Sequence, residues 1–413
     1  MQSLTIAEAT TFELWVAPAQ PEHWSGASNN HILNSALTKL FVTVLGPSHL
    51  SIRRGALVGA GLYIAAAFGF CLLVTRSGTL RWCLFVCMVG NPFILDYLVA
   101  ARGYGLASAF LLWALVLPAH WLREIHIGER RALASCMWCS TLAALSIASN
   151  VAFAVVAVMV VIVTMVWTGN SLVLSVGRRE RRGVLLRLLL ACTLPGLAVS
   201  LLFTANAVYH WPAGQLWRGA SSLRDMVRTV AESSLYQPNP YLLSPPVHLV
   251  MEAIRPLLLP LLGIIVIAKL ALLVRERDLP RDADSRVRRR VASIMAIALS
   301  LTILIHWFAF RWFHVLLPQE RPALYIAVLS MGVTGLIAAE PLQTRLGHIV
   351  QRVFAATLVI AALYFLSCLR LTYFNSRSGP GTPTRTGHTR YWHITTTSMA
   401  GGMWQAVDTM PRS

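Results

Sequence analysis

Acidic residues are scarce in this chain. Only 17 Asp and Glu stand against 35 Lys and Arg, and charged residues make up 13% of its 413 positions. A soluble globular protein carries about 25% charge, so the shortage argues against an ordinary soluble fold. Lysine is nearly missing, with Lys39 and Lys269 alone; this is a bias toward arginine and carries no mechanism. The start has no basic n-region, apolar h-region or small-residue cleavage site, so it does not read as a signal peptide. The cysteines, Cys71, Cys83, Cys87, Cys136, Cys139, Cys192 and Cys368, all lie in or beside apolar runs. Cys136-Met-Trp-Cys139 therefore reads as buried thiols, without the second ligand pair that a zinc or redox motif needs.

What the chain has is hydrophobicity: 56% of its residues are apolar, with a mean hydropathy of +0.61. Apolar runs long enough to cross a bilayer recur between short basic segments. This predicts an all-α polytopic membrane protein of about ten transmembrane helices, with outer-face loops and short amphipathic interfacial helices. The expected spans are 54–74, 82–99, 104–121, 132–149, 151–168, 187–206, 256–274, 291–310, 322–340 and 353–371. The formal charge of +18 does not point to nucleic acid, because the arginines cluster between spans at 123–131, 178–187 and 275–290. That is the pattern of cytoplasmic loops, with lipid headgroups as the counter-charge. Loops at 75–81, 122–131, 169–186, 275–290 and 341–352 are basic and face the cytoplasm. Those at 100–103, 150, 207–255 and 311–321, and both termini, face outward. Arg53 and Arg54 break this alternation.

Three regions follow. Residues 1–50 form a polar outer loop with an interfacial helix at Ala36–Leu45, stopped by Gly46-Pro47. Residues 51–373 form the transmembrane core. Residues 374–413 form an outer tail without periodicity, which reads as disordered. Within the outer loop 207–255, Ser221–Tyr236 places Leu223, Met226, Val227, Val230 and Leu235 opposite Arg224, Arg228 and Glu232. That is an amphipathic surface helix.

Chemistry-bearing residues collect in three outward places. Asp96, Arg102 and Tyr104 lie between two spans, where an ionisable group marks a functional site or, alternatively, a helix end whose stem lies on apolar surface. The segment Asn29-Asn-His-Ile-Leu-Asn34 adds Asn29, Asn30, His31 and Asn34. Leu317–Tyr325 opens a helix with Pro322 in its first turn, Glu320 placed to cap the dipole, and Arg321 beside it. Tyr241 and Trp211 read as interface anchors or as lining for an acceptor cleft.

The blocks Asn29–Asn34 with Leu45-Gly-Pro-Ser48 and Arg53–Leu57, Asp96–Leu106 and Leu317–Tyr325 resemble the GT-C superfamily of membrane glycosyltransferases. The likeness is to bacterial proteins of the protein-mannosyltransferase or aminoarabinose-transferase type, over roughly residues 8–373. The resemblance implies an enzyme that takes a sugar from a polyprenyl-phosphate donor and gives it to a lipid, glycan or protein acceptor. It would do so on the outer face of the cytoplasmic membrane.

Such enzymes carry an essential carboxylate in the first outer loop, as base or as ligand of a divalent metal, magnesium or manganese. The matching position is Ala7-Glu8, so Glu8 takes that role by resemblance. Arg102 and Arg321, with Tyr104 and His31, are the implied donor-phosphate residues, since forked guanidinium donors match phosphate oxygens. Asn29, Asn30, Asn34, Asp96, Glu320 and Tyr241 are the acceptor or supporting residues. Family members begin with a further helix before that loop and end in a folded tail. We therefore expect a start codon placed too late and a frameshift or early stop near Asn375, which leaves the catalytic loop untethered at one end. The rival classes are an inactive remnant of the enzyme and a transporter or flippase of lipid-linked sugars. Against the last, no inverted repeat of broken spans is visible.

Overall fold

The computed structural model describes residues 6–17, 30–121, 128–175, 177, 179–209, 219–276 and 283–370. Asn29, Trp211 and the tail 374–413 lie outside the described residues, so the expectations placed on them end there. The described chain is helical throughout, with one isolated antiparallel bridge between Ala220 and Leu317.

Two short elements open it: α1 (Ile6–Thr11) and a π-helical turn (Phe12–Val16). Next come α2 (Ile32–Leu45), α3 (His49–Val74), α4 (Gly78–Val89), α5 (Pro92–Val99), α6 (Tyr104–Trp121) and α7 (Glu129–Ser149). A 3-10 turn (Val151–Phe153) leads into α8 (Ala154–Ser175), followed by α9 (Arg181–Tyr209), α10 (Leu223–Ser234), α11 (Pro245–Arg275) and α12 (Ala283–Phe313). A second 3-10 turn (Arg321–Ala323) precedes α13 (Leu324–Ala339) and α14 (Arg345–Ser367).

This is a polytopic helical membrane fold. Eight described helices are long and apolar enough to cross a bilayer, or nine if the bent pair described next is one span. The expected span 82–99 is a pair, α4 and α5, bent by 59°. The cause is local: Gly90 ends α4, and Asn91 opens α5 by accepting the Phe93 amide at 3.0 Å, with Pro92 in the first turn. The expected span 104–121 is the shorter apolar helix α6. Helix α2 starts four residues before the expected Ala36, and its stop at Gly46 is the only positive-φ glycine among the described residues, at 79°.

Helix–helix approach depends on small residues. A Cβ on Gly59 of α3 would lie 2.7 Å from the Leu106 amide nitrogen, so the backbones of α3 and α6 touch there. Around that contact Tyr63, Phe70, Leu111 and Leu112 are wholly buried. Two of the polar groups that this burial encloses are partnered: Tyr63 donates to the Met88 carbonyl and Trp113 to that of Leu62.

The two sets of loops separate to opposite ends of the helices. At one end Arg76 pairs with Asp284 at 2.7 Å, and Arg187 with Glu129 at 2.5 Å. There too, Glu276 accepts from the Gln343 and Thr344 amides. Glu340, buried at the end of α13, accepts from Ser285, Arg288 and Arg289. These are the segments expected to face the cytoplasm.

At the other end lie α1, α2, the 100–103 turn, the 150 break, α10 and the 317–323 segment. Helix α10 is capped by Ser222, which accepts the Asp225 amide at 3.1 Å. Its buried face matches the expected one at Met226, Val230 and Leu235 and differs elsewhere. Met226, Thr229, Val230, Ser233 and Ser234 are buried, whereas Leu223 and Val227 are exposed. The helix packs on α5 and α13, so its inner face follows those neighbours and not hydrophobicity alone.

Candidate functional site

The site is built around the turn between α5 and α6, Ala100-Ala-Arg-Gly103. The Arg102 amide donates back to the Ala100 carbonyl at 2.6 Å, and the Gly103 carbonyl accepts the Ala107 amide to start α6. The tight turn therefore presents Arg102 at the mouth of a helix. It works only because residue 103 is glycine. A Cβ there would sit 1.9 Å from the Ser149 carbonyl oxygen and 3.0 Å from the His31 Cβ. Gly103 thus lets the turn, the end of α7 and the start of α2 meet.

Two side chains from the first outer segment hold this turn. Glu8 is fully buried and accepts the Ala101 amide at 2.8 Å. It also accepts two bonds from Arg53, Nε to Oε1 at 3.1 Å and Nη2 to Oε2 at 2.9 Å. Asn34 Nδ2 donates to the Ala101 carbonyl at 3.4 Å. Phe12 packs against Ile52 and Ala101 below. The expectation of an untethered catalytic loop is therefore corrected: residues 6–16 are helical, and a buried two-point ion pair fixes Glu8. Arg53, an anomaly in the charge alternation, is its partner. That anomaly was the sequence signal that could have found it.

The arginines converge. Arg102 is buried to 7% exposure, and Arg321 is half-buried in the 3-10 turn that begins the α13 segment. Burial lowers the proton affinity of Arg102; the field of Tyr104 opposes this, and that of Arg321 adds to it. An arginine keeps its charge under such a shift. The Arg321 guanidinium lies 5.8 Å from the Tyr97 ring centroid and hydrogen-bonds the Tyr97 hydroxyl. Tyr97 packs on Tyr104 at 5.2 Å, and Tyr104 packs on His31 at 5.2 Å. Three segments remote in sequence thus contribute His31, then Tyr97 with Arg102 and Tyr104, and Arg321 to one cluster.

His31 is 2% exposed, and neither ring nitrogen has a hydrogen-bond partner among the described residues. Burial first, then the fields of Arg102 and Arg321, push its pKa down to about 3. It is a neutral imidazole at physiological pH, so it would meet a phosphate as a neutral donor and not as a cation. Asn30 is buried beside it, its Oδ1 accepting from Ser35 at 3.2 Å. Asn34 is structural as well as local, since its Oδ1 lies 3.3 Å from where a Gly55 Cβ would be on α3.

The remaining expected residues stand apart in role. Asp96 is half-buried on α5, next to Tyr97. Glu320 is exposed and makes no capping hydrogen bond, so the expected cap is not formed. Its backbone is turned to φ 53°, ψ −121°, where only glycine sits without strain and where a capping residue does not belong. That strained residue immediately precedes Arg321 and closes the turn by accepting the Ala323 amide at 2.9 Å. Tyr241 is 84% exposed, in a turn that Asn239 ties to the Ser367 and Leu369 carbonyls at the end of α14. It is not brought into the cluster.

The donor set does not suit a divalent cation. Both oxygens of Glu8 are engaged by Arg53 and the Ala101 amide, and a guanidinium in contact disfavours a second cation. No group of three or more His, Cys, Asp or Glu side chains that could hold a metal occurs among the described residues.

The arrangement can bind an anion. The Arg102 and Arg321 guanidiniums repel each other, and a phosphate between them would relieve that repulsion. No protein-family model matches the chain, and no curated protein matches it either.

Proposed function

We propose that this protein is a membrane glycosyltransferase. It takes a sugar from a polyprenyl-phosphate donor and transfers it to a lipid, glycan or protein acceptor on the outer face of the cytoplasmic membrane. The observation that carries the reading is the convergence of Arg102 and Arg321, from opposite halves of the chain, on one buried cluster with Tyr97, Tyr104 and His31. In this reading the bent pair α4–α5 and the shorter α6 also cross the bilayer, which makes ten spans and puts all the site-bearing loops outside.

The chemistry follows from charge. A glycosyl phosphodiester carries one negative charge, and its leaving phosphate gains a second as the anomeric C–O bond breaks. Donors already aimed at that developing charge lower the barrier without reorganising. Arg102 and Arg321 supply them, with Tyr97 backing Arg321 and Tyr104 backing Arg102. The prenyl chain stays in the bilayer along the apolar outer faces of the helices. Glu8 is a positioning residue: engaged by Arg53, it holds the Ala101 amide and with it the turn that presents Arg102. No step is routed through a metal.

The test is transfer of radiolabelled sugar from polyprenyl-phosphate donors in membranes carrying the protein. R102A and R321A should each lower transfer about a hundredfold, the cost of removing one preorganised donor to a developing anion. Expression and melting midpoint should be retained. Transfer that persists in both variants would overturn the reading, and solute uptake by proteoliposomes without transfer would favour a transporter.

A further inference from the structure

Beside the two arginines lies a pair of buried side chains that the phosphate does not need. Asn30 and His31 are 3% and 2% exposed. Asn30 Nδ2, His31 Nδ1 and His31 Nε2 have no hydrogen-bond partner among the described residues. Buried polar atoms are normally satisfied, so three such atoms on adjacent residues call for a partner of another kind. Their orientation is not free. Ser35 holds the Asn30 Oδ1, leaving the amide nitrogen to be offered; Tyr104 packs on the His31 ring, and Gly103 lies against its Cβ.

We propose that Asn30 and His31 form a neutral subsite that reads hydroxyl groups, holding the sugar ring of a glycosyl phosphodiester whose phosphate lies at Arg102 and Arg321. This rests on the reading of the arginine cluster as a phosphate site. A neutral imidazole offers one N–H donor and one lone pair. A hydroxyl both donates and accepts, so it satisfies both nitrogens' chemistry. A second phosphate only accepts, and would set its oxygens against the imidazole lone pair. The apolar chain of a lipid would satisfy none of the three atoms. The charged groups facing the ring are Arg102 and Arg321, with Tyr104 in contact and Glu8 acting on Arg102 from behind. The anion would therefore bind on the arginine side and the ring on the Asn30–His31 side.

The experiment uses the full chain in lipid nanodiscs and two kinds of probe of equal charge. One is methyl farnesyl phosphate. The others are farnesyl phosphodiesters of glucose, galactose, mannose and arabinose. The wild type should bind at least one glycosyl probe at least about tenfold more tightly than the methyl probe, because only the former pairs the buried atoms. H31Q, H31F and N30L should erase that preference and leave methyl-probe binding within about threefold, the scatter of substitutions that spare the anion site. Keeping both H31Q and H31F guards against misfolding of either. No preference in the wild type for any glycosyl probe, or a preference that survives in the folded variants, overturns the subsite; ordered water alone then partners these atoms. Failure of the parent reading looks different: the methyl probe does not bind, or binds equally well to R102A and R321A.

Discussion

Glu8 and Arg53 form a two-point ion pair across 45 residues of sequence, at 2.9 and 3.1 Å, with the carboxylate fully buried. The same carboxylate accepts the Ala101 amide, so one side chain ties the first outer segment, the start of α3 and the Arg102 turn together.

Removing either partner strands a charge. R53A should destabilise the protein by about 3 kcal/mol because it strands the fully buried Glu8 carboxylate, and E8A by somewhat less because the Arg53 it strands keeps 16% exposure. The double variant should lose less than the two single losses added, which is the signature of a direct pair. Melting midpoints in detergent would measure this. Strict additivity would show that the two residues act separately.

Gly103→Ala should be among the most damaging small substitutions in the chain, because its Cβ meets the Ser149 backbone, which cannot swing aside. A cost of about 2 kcal/mol or more is expected from overpacking. Gly128→Ala is the control, since its Cβ meets nothing within 4 Å. Equal melting midpoints for the two would contradict the close approach at Gly103.

His31 couples stability to acid. Its folded pKa lies at about 3 against an ordinary 6.5, so between those values the unfolded chain binds the extra proton. Stability from this group is full above pH 6.5 and falls as the pH drops toward 3. At pH 5 the loss is about 2 kcal/mol. H31Q should flatten the acid limb of a melting-midpoint profile between pH 6.5 and 5. An unchanged slope would mean that another group titrates.

At the opposite end, Glu340 gathers Ser285, Arg288 and Arg289. E340A should leave those arginines without their carboxylate and loosen the start of α12, by about 2 kcal/mol after allowing for their partial exposure. Trypsin should then cleave within 286–290 in inside-out vesicles faster than in the wild type. E340Q, which keeps an acceptor for Ser285, should be cleaved at an intermediate rate.

Much of this was legible in the chain order of its residues. Apolar runs set the helices, because a segment that buries its backbone polar groups in lipid must bond them internally. Arginine placement sorted the loops into two sets, and the ion pairs at each end join members of one set. Asn91 was not recognised as a capping residue, so the α4–α5 bend was missed. The inner face of α10 was read only in part: Met226, Val230 and Leu235 are buried as expected, but Thr229 and Ser233 join them against α5 and α13, which no periodicity reports.

The sequence by itself determined the class of fold, which loops share an end of the helices, and which polar residues stand where polar residues are costly. Those are local or compositional properties, read from a residue and its near neighbours. Only the tertiary structure decided that Arg102 and Arg321 belong to one cluster, that Glu8 is spent on Arg53, and that His31 is neutral. Each of these depends on distance and burial between segments far apart in the chain. Charge strength and hydrogen-bond supply depend on what surrounds a side chain, and the surroundings exist only once the helices have packed.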